Sequence, residues 1–277
     1  MNNLTKAYHH CESIIKEHSK TFYKAFMLLP KEKKQAVWAV YAFCRQVDDI
    51  VDEGGNPKEE LYAFKQSFDA FLQGHLPSEE PMWLALQDVF QKYEMDVEAF
   101  HDMITGQEMD LYKKLYYTEE EVLHYSYYVA STVGLMLLPI LAPNNKDALR
   151  QDAIALGQAM QITNILRDIG EDLERERIYI PIEKLEQAGY SVADLKMHIV
   201  NNKFISVWED MALKAEKLYE QAMSSIDLYP LHSRTPVKGA AYLYRAILGS
   251  IRKKGYSVFK TKHFVSNEEK REIISQI

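Results

Sequence analysis

The sequence predicts a single all-α domain covering residues 1–277, built as a helical bundle with a central substrate cavity. Apolar residues recur at helical spacing along nearly the whole chain, and no run alternates in the manner of a half-buried strand. Hydrophobic residues make up 47% of the chain and charged residues 26%, which is typical of a globular domain. No internal repeat, low-complexity stretch or long linker marks a second domain. Bundles commonly bind their ligands between helices.

Breaker residues divide the chain into helical segments. The stretches EGGNP (53–57), GHLPSEEP (74–81) and APNN (142–145) are typical of connections. Pro30 suits the first turn of a helix, which indicates a helix that starts there and ends near Gly54. The predicted helical segments cover about 5–18, 31–52, 58–73, 80–93, 96–113, 119–138, 146–177, 204–226, 237–254 and 267–276.

Charge and cysteine content exclude some function classes. The net charge of −7 argues against a nucleic-acid partner, because phosphate binding needs a basic face. Cys11 and Cys44 form no CxxC pattern, so two buried thiols in a reducing cytoplasm fit best, with a disulfide as the alternative. The N-terminal stretch lacks the apolar region of a signal peptide. The most apolar stretch, 129–143, is shorter than a membrane span and contains Pro139, so it predicts a buried core helix.

The stretch RQVDDIVDE (45–53) concentrates acidic residues on one predicted helix. Asp48 and Asp52 lie four residues apart, so their side chains share a face, and Arg45 precedes them by one turn. Like charges at this spacing repel each other, which indicates that a cation neutralises them.

A second acidic stretch, NILRDIGEDLERERIYIP (164–181), repeats this pattern. Asn164, Asp168 and Asp172 are spaced at i, i+4 and i+8, and along one helix face they would span roughly 12 Å. That length exceeds the reach of one ion but suits several ions bridged by a ligand. Arg167 adjoins this group as Arg45 adjoins the first.

Oxygen-rich pairs of this kind favour a magnesium–polyphosphate site. Mg²⁺ is usually held by one or two carboxylates together with substrate phosphates. Arg45 and Arg167 could bind a diphosphate through bidentate hydrogen bonds. The stretch HSKTF (18–22) adds donors in His18, Ser19, Lys20 and Thr21. Taken one at a time, each acidic stretch would be read as a solvated or capping feature of a helix, but the two together favour a site.

A di-iron bundle is the competing metal hypothesis, since such proteins use Glu-x-x-His on two helices. Glu98 with His101 and Glu121 with His124 match that string. Each glutamate follows a predicted N-cap, either Asp96 or Thr118, at a helix start. Metal ligands belong in the middle of a helix facing inward, so both matches are interpreted as coincidental.

These motifs resemble the squalene/phytoene synthase family. The two aspartate-rich stretches match its paired motifs, and the resemblance extends to HSKTF, AVWAVYAFCRQVDDIVD, GQEMDL (106–111), YVASTVG (128–134) and AAYLYRAIL (240–248). Within the family the chain is most similar to bacterial dehydrosqualene (4,4′-diapophytoene) synthases. The resemblance implies the isoprenoid-synthase helical fold and a magnesium-dependent prenyltransferase of isoprenoid and carotenoid biosynthesis.

The resemblance also implies roles for individual residues. Asp48 and Asp52 match one metal-binding pair; Asn164, Asp168 and Asp172 match the other, for two to three Mg²⁺ ions in all. Tyr125 matches a tyrosine implicated in catalysis, beside the acids and Arg167. Lys262 stands where relatives often carry an arginine, so the bidentate contact is lost there. The implied substrate-binding residues are His18, Ser19, Lys20, Thr21, Phe22, Phe26, Tyr41, Arg45, Gln161, Asn164, Arg167, Tyr244 and Lys262.

The expected reaction is head-to-head condensation of two farnesyl diphosphates, by way of presqualene diphosphate, to dehydrosqualene. Apolar residues in 22–30 and 133–141 would line a tunnel for the prenyl chain, although most of them pack in the core. No GxGxxG fingerprint is present, and NADPH is not expected. The alternatives are squalene or phytoene synthesis, hydrolysis to farnesol, and a non-catalytic scaffold. The expected location is cytoplasmic, with at most a loose membrane contact for product release, and the sequence does not set the oligomeric state.

Overall fold

Helices form along most of the chain, in agreement with the spacing of its apolar residues. The computed structural model describes residues 3–277. Within that range no strand forms, and pairing between extended segments is limited to an isolated bridge between Leu115 and Ile178. The α-helices are α1 (Asn3–His18), α2 (Lys20–Phe26), α3 (Lys31–Glu53), α4 (Pro57–Leu72), α5 (Pro81–Lys92), α6 (Val97–Tyr112), α7 (Glu119–Ser126), α8 (Thr132–Leu141), α9 (Arg150–Arg167), α10 (Ile169–Glu174), α11 (Ile182–Gln187), α12 (Val192–Lys196), α13 (Asn202–Ser224), α14 (Leu231–Lys253) and α15 (Asn267–Ser275).

The helices pack around one apolar core, which confirms the predicted all-α bundle. On one side of α3, Phe43 is fully buried, and its ring centroid lies 5.0 Å from that of Phe100 and 5.3 Å from those of Phe64 and Phe68. Aromatic pairs at these separations add to the stability gained from burial. This cluster fixes α3 against α4 and α6, so that the opposite face of α3 is directed towards α8 and α9.

The helix predicted over 146–177 is interrupted, which corrects the expectation of one continuous acidic face. Helix α9 ends at Arg167, Asp168 has a non-helical backbone (φ −105°, ψ 17°), and α10 begins at Ile169. The break coincides with a close approach of the C-terminal segment. A Cβ on Gly170 would lie 2.1 Å from the Phe259 carbonyl oxygen, so only glycine fits there. Helical periodicity does not reveal a break of a single residue.

Other boundaries also differ from the predictions. The predicted 119–138 helix contains a π-helical turn at Tyr127–Ser131 between α7 and α8. Helix α14 starts at Leu231 rather than near 237, with Pro236 inside it and buried. The short helices α2, α11 and α12 were not predicted, because segments of five to seven residues are too short to show a helical period.

Three smaller predictions can be compared with the fold. Helix α8 is a buried core helix, as expected for its apolar sequence. Cys11 and Cys44 are both buried and free, as predicted. In the described range, no helix is both long enough and apolar enough to traverse a bilayer. The domain boundaries 1–277 stay a prediction, with residues 1 and 2 outside the described range.

The crossing of α9 with the π-helical turn depends on Gly157. A Cβ at that position would lie 2.3 Å from Ser131 Cα and 2.5 Å from its backbone nitrogen. Overpacking against backbone of this kind costs about 1–3 kcal/mol. We expect Gly157→Ala to lower the free energy of unfolding by that amount, measured as a lower urea midpoint with an unchanged m-value.

Gly249→Ala is the matched control for this prediction. Gly249 also lies within a helix, but no atom within 4 Å would contact its added Cβ. The higher helix propensity of alanine should raise stability there by about 0.5–1 kcal/mol. Equal effects of the two substitutions would contradict a steric role for Gly157.

Candidate active site

A cavity of about 400 Å³ runs between α3, α8, α9 and α14. Its wall on α3 extends from Val37 to Asp52, which corresponds to roughly 22 Å of helix. On both α3 and α9, the N-terminal half of the lining face is apolar and the C-terminal end is charged. The cavity therefore has an apolar end and a charged end, and both are determined by residues at helical spacing.

Aliphatic and aromatic side chains line the apolar end. Val133, Leu137 and Leu141 line it from successive turns of α8. Phe22 and Phe26 line the cavity from α2, with ring centroids 5.6 Å apart. The remaining apolar lining includes Ile15, Val40, Leu156, Met160, Tyr229, Val237 and Ala240. Such a surface suits a hydrocarbon chain, because each buried CH₂ contributes about 0.8 kcal/mol.

The first acidic pair lies at the charged end. Asp48 and Asp52, the pair singled out in the sequence, both line the cavity from α3. Burial, together with the charge of Asp52, raises the pKa of the Asp48 carboxyl to about 6. Arg45 Nη1 lies 3.3 Å from Asp48 Oδ2, and its Nη2 pairs with Asp49. The Asp48 carboxylate thus has a cationic neighbour but remains costly to ionise.

The second acidic group faces the same space from the α9–α10 junction. Asn164, Asp168 and Asp172 all line the cavity despite the helix break. Burial, together with the charge of Asp168, raises the pKa of Asp172 to about 8. Arg167 holds Asp168 in a bidentate pair, donating from Nε at 2.8 Å and from Nη2 at 2.5 Å. The two predicted acidic stretches therefore converge on one charged end.

Two arginines that follow α10 pair with Asp52 of the first acidic group. Arg175 Nη1 donates to Asp52 Oδ2 at 2.6 Å, and Arg177 Nη1 donates to Asp52 Oδ1 at 3.1 Å. Between them Glu176 has a left-handed backbone (φ 59°), which turns the chain back towards the cavity. Ile178 N then donates to the Lys114 carbonyl at 2.8 Å, and this bond fixes the segment against the end of α6.

A buried polar cluster lies next to the acids. Tyr125 and Tyr179 each donate a hydroxyl hydrogen bond of 2.8 Å to Asp110, one to each carboxylate oxygen. Burial raises the pKa of Asp110, and burial and the Asp110 charge raise that of Tyr125 well above its usual range. Tyr125 is therefore a neutral hydroxyl donor at neutral pH. All three side chains line the cavity.

The structure brings together most, but not all, of the residues predicted for the site. Phe22, Phe26, Tyr41, Gln161 and Tyr244 line the cavity together with the acids and arginines.

The predicted donors of the HSKTF stretch lie outside the cavity lining. His18 and Lys20 are exposed, and neither they nor Ser19 and Thr21 line the cavity. The Ser19 side chain lies beside the hydroxyl of the lining residue Tyr244. Lys262 reaches the charged end from the C-terminal segment, with Nζ 2.7 Å from Glu171 and 3.7 Å from Asp168.

Several polar lining residues were not predicted from the sequence: Gln107, Asp110, Glu171, Arg175, Arg177 and Tyr179. Two sequence signals could have indicated some of them. GQEMDL contains Gln107 and Asp110 within the resemblance. In RERIYIP, Arg175, Arg177 and Tyr179 alternate with other residues, as side chains on one side of an extended segment do.

The donor set at the charged end fits divalent cations that are shared with a ligand. Asn164 Oδ1 is buried and accepts no hydrogen bond from the described residues. Burial first, and the charge of Asp168 second, raise the pKa of Asp172, and a bound cation would counter both effects. Among the described residues, no three His, Cys, Asp or Glu side chains are placed to hold an ion by themselves. Mg²⁺ sites commonly consist of one or two carboxylates completed by phosphate oxygens.

The Glu-x-x-His strings are helix starts, as predicted. Asp96 accepts a hydrogen bond from Ala99 N at 3.3 Å, and Thr118 accepts one from Glu121 N at 3.2 Å. Glu121 Oε2 accepts from Tyr117 N at 2.6 Å, and His124 is exposed. These side chains lie at helix ends and outside the cavity lining, so they do not form a di-iron centre.

A helical bundle around a cavity that is apolar at one end and acidic at the other has the fold of the isoprenoid synthases. The sequence model of the squalene/phytoene synthase family matches residues 15–269. The 15-cis-phytoene synthase of Synechococcus elongatus is 36% identical over 276 residues, covering 95% of this chain and 89% of that protein. The 4,4′-diapophytoene synthase of Staphylococcus haemolyticus is 35% identical over 279 residues, covering 99% and 96%.

Solved structures agree with this assignment. A crystal structure of a dehydrosqualene synthase in complex with ligand aligns with a TM-score of 0.94 at 40% identity, covering 99% of this chain and 95% of that one. The chain belongs to the squalene/phytoene synthase family. Members are prenyltransferase-type enzymes of isoprenoid and carotenoid biosynthesis that bind prenyl diphosphates, generally with a divalent metal.

Proposed function

We propose that this protein condenses two farnesyl diphosphates head to head, through presqualene diphosphate, to dehydrosqualene. One observation carries the proposal: two acidic groups from α3 and the α9–α10 junction converge at one end of a cavity whose other end is apolar. A prenyl diphosphate has the same polarity, with an anionic head and a hydrocarbon tail. In this binding mode its diphosphate lies among the acids and arginines, and its chain lies between α3 and α8.

The acids of the charged end would hold magnesium. Asp48 and Asp52 are the proposed ligands on α3, and Asn164, Asp168 and Asp172 are those at the α9–α10 junction. When bound, Mg²⁺ would supply Lewis-acid stabilisation of the charge that develops on the departing diphosphate. Without it, the clustered carboxylates would repel an anionic substrate.

Cationic side chains contribute to diphosphate binding. Arg45 and Arg167 flank the two acidic groups, and Arg175 and Lys262 reach the same end of the cavity. Arg167 is half-buried and held by Asp168, so its guanidinium is pre-oriented rather than ordered on binding. Tyr244 adds a hydroxyl beside Ser19.

The apolar wall has a second role, which is to exclude water. Ionisation of an allylic diphosphate leaves a carbocation that water would convert to an alcohol. Phe22 and Phe26 place aromatic faces in the cavity, and each such face attracts a cation by about 0.5–2 kcal/mol. This wall favours condensation over hydrolysis to farnesol.

The proposed product requires no reductant. In the first step one C–O bond breaks, carbon–carbon bonds form the cyclopropane ring, and one diphosphate and one proton are released. In the second step the other C–O bond breaks, ring bonds of the cyclopropane break while the bond that joins the two chains forms, and the second diphosphate and a proton are released. Squalene would instead need a hydride in the last step. Asp110, held by two tyrosine hydroxyls, is a carboxylate within the cavity that could accept a proton. Its raised pKa improves it as a base.

Substrate length separates this proposal from a second candidate, phytoene synthesis from C20 substrates. The similarity to a phytoene synthase over 95% of the chain favours C20. The similarity to the diapophytoene synthase over 99% and the TM-score of 0.94 with a dehydrosqualene synthase favour C15. The bulky Phe26 and Tyr229 at the apolar end favour the shorter chain.

Product analysis tests the proposal. The protein is incubated with Mg²⁺ and either farnesyl or geranylgeranyl diphosphate, with and without NADPH, and extracts are analysed by mass spectrometry. We expect dehydrosqualene from farnesyl diphosphate, in the same amount with or without NADPH. Farnesol, NADPH-dependent squalene, or a C40 product as the main hydrocarbon would each overturn the proposed reaction.

Tyr125→Phe tests the buried polar cluster. This change removes the hydroxyl that donates to Asp110 and faces the cavity. We expect turnover to fall by about 10²-fold, which is typical for loss of a group that assists proton transfer. Steady-state kinetics with farnesyl diphosphate provide the measurement.

Tyr116→Phe is the matched control. The Tyr116 ring packs against Tyr125 and Tyr179 with centroids 5.1 and 5.3 Å away, but its buried hydroxyl has no hydrogen-bond partner among the described residues. Removing that hydroxyl should leave turnover within about twofold and stability unchanged or higher. A similar loss in both variants would indicate a packing role for the cluster.

A further inference from the structure

The apolar end of the cavity lies beneath a surface where three helix ends meet. Lys33 on the first turn of α3 and Ser233 on the first turn of α14 both donate to the Leu141 carbonyl at the end of α8, at 3.4 and 2.8 Å. Leu141 and Tyr229 line the cavity just inside this junction. The starts of α3 and α14 therefore cover the end of the cavity that is furthest from the acids.

Three leucines are exposed on this surface. Leu231 has 78% of its surface exposed, Leu28 56% and Leu228 42%. Leu28 lies three residues before α3, and Leu228 and Leu231 are on either side of the cavity-lining Tyr229 in the chain. These three residues form what we term the leucine tip. Single exposed leucines are ordinary on protein surfaces, but three in the two segments that lead into α3 and α14 concentrate exposed apolar surface near one end of the cavity.

The leucine tip is surrounded by positive charge. Residues 24–34 and 227–238 together carry six Lys or Arg and two Asp or Glu, within a chain of net charge −7. Lys31, Lys34 and Lys238 form no ion pair with any carboxylate of the described residues. The N-termini of α3 and α14, which have no side-chain cap, add partial positive charge at the same place. Although the whole chain is acidic, the segments that carry the leucine tip have an excess of basic side chains.

We propose that the leucine tip and its lysines form a membrane-docking surface for an anionic lipid bilayer. The leucines enter the interface between headgroups and acyl chains, and the lysines contact lipid phosphates. Docking places the apolar end of the cavity against the hydrocarbon region. The part of this inference that concerns release of a hydrocarbon product rests on the proposed function, whereas lipid binding itself does not.

The chemistry of the surface favours lipid over a protein partner. Leu28 and Leu228 lie in the turns before α3 and α14, and Leu231 is the first residue of α14. They are interspersed with lysines that form no ion pair with the described residues, a pattern that matches a fluid anionic interface. A protein-binding face would be a continuous apolar core with few lysines.

Sedimentation with lipid vesicles tests the proposal. The full chain is mixed with vesicles of equimolar phosphatidylglycerol and phosphatidylcholine, or of phosphatidylcholine alone. We expect binding to the anionic vesicles, weakened by high salt because the lysine contribution is screened. Lys31→Gln with Lys34→Gln should weaken it by about fivefold for each lysine, whereas Lys65→Gln with Lys217→Gln, exposed lysines elsewhere, should not.

The leucines are tested in the same assay. Leu28→Gln with Leu231→Gln should weaken vesicle binding by at least about tenfold, since each change removes one buried apolar side chain. Leu213→Gln, at a leucine of α13 with 49% exposure, is the matched control and should bind like the wild type. Product formation in detergent reports that the variants are folded.

Three outcomes would overturn the docking surface: no vesicle binding by the wild type, equal loss in Leu213→Gln, or a change of molecular mass in Leu28→Gln with Leu231→Gln during sedimentation without lipid. The last result would identify the surface as an interface between copies of this chain. Because vesicle binding is measured without substrate, a protein that binds lipid but makes no C30 hydrocarbon would refute the proposed reaction and leave the docking surface standing.

Discussion

Asp48→Asn is expected to reduce product formation from farnesyl diphosphate by at least about 10²-fold, because Lewis-acid stabilisation of the leaving diphosphate is worth several kcal/mol. The substitution keeps the shape of the side chain and removes the charge that we propose holds Mg²⁺ on α3. Asp48 lines the cavity and faces a second acid, Asp52, across one helical turn. Steady-state kinetics at saturating Mg²⁺ give the loss in kcat/KM.

Asp49→Asn provides a control from the same stretch of sequence. Asp49 is adjacent to Asp48 and also pairs with Arg45, but it does not line the cavity. We expect its kcat/KM to stay within about fivefold of the wild type, the range of a surface ion pair. Near-normal activity of Asp48→Asn, or equal loss in both variants, would contradict the assignment of the first acidic pair.

Asp172→Asn is expected to have opposite effects on activity and on the stability of the metal-free protein. Activity should fall by at least about 10²-fold, for the same reason as at Asp48. Burial and Asp168 raise the pKa of Asp172 to about 8 in the folded chain, whereas an aspartate in the unfolded chain titrates near about 3.9. Between these values the folded state binds the extra proton, so this group lowers the free energy of unfolding as pH rises from about 4 to about 8.

Asparagine mimics the protonated carboxyl. The Asp172→Asn variant should therefore not lose free energy of unfolding at this position as the pH rises. In EDTA, the variant should be more stable than the wild type at pH 8 by more than about 1.4 kcal/mol, the value of a tenfold change in proton affinity. The difference should be smaller at pH 5, because less of the charge has developed there. Urea unfolding at both pH values gives the comparison.

Added Mg²⁺ and inorganic diphosphate should reverse the order of stability at pH 8. The wild type should gain stability from binding them, and Asp172→Asn should respond weakly or not at all. Glu174→Gln, at an exposed acid of the same short helix, should behave like the wild type throughout. A metal-free variant that is no more stable than the wild type at pH 8 would show that Asp172 does not carry the unfavourable charge inferred here.

The positions of the acids show how far sequence reasoning can go. Asp48 and Asp52 could be assigned to one face because α3 is a regular helix, in which spacing fixes direction. The same reasoning placed Asn164, Asp168 and Asp172 in one region, but it missed the break at Asp168. That break coincides with the close approach of Gly170 and Phe259, which are 89 positions apart in the sequence and meet only in the fold.

The spacing of residues in the sequence also could not predict which arginines pair with Asp52. Arg175 and Arg177 contact Asp52 across more than 120 residues of chain, through a left-handed turn at Glu176 and an isolated bridge to Leu115, just after α6. For His18 and Lys20, in contrast, the sequence predicted a place at the site that the cavity lining does not include. They were predicted at the site on resemblance, yet in the structure their side chains are exposed and outside the cavity lining.

The sequence by itself determined the helical class, the two acidic stretches, the apolar core segments and the family resemblance. The first three depend on residues within a few turns of one another, where helix geometry relates spacing to direction, and the resemblance depends on the motifs themselves. Only the tertiary structure decided that the acidic stretches face each other, that Asp110 joins two tyrosines, and that exposed leucines and lysines meet over the apolar end of the cavity. These juxtapositions arise from packing between distant segments, which local periodicity does not encode.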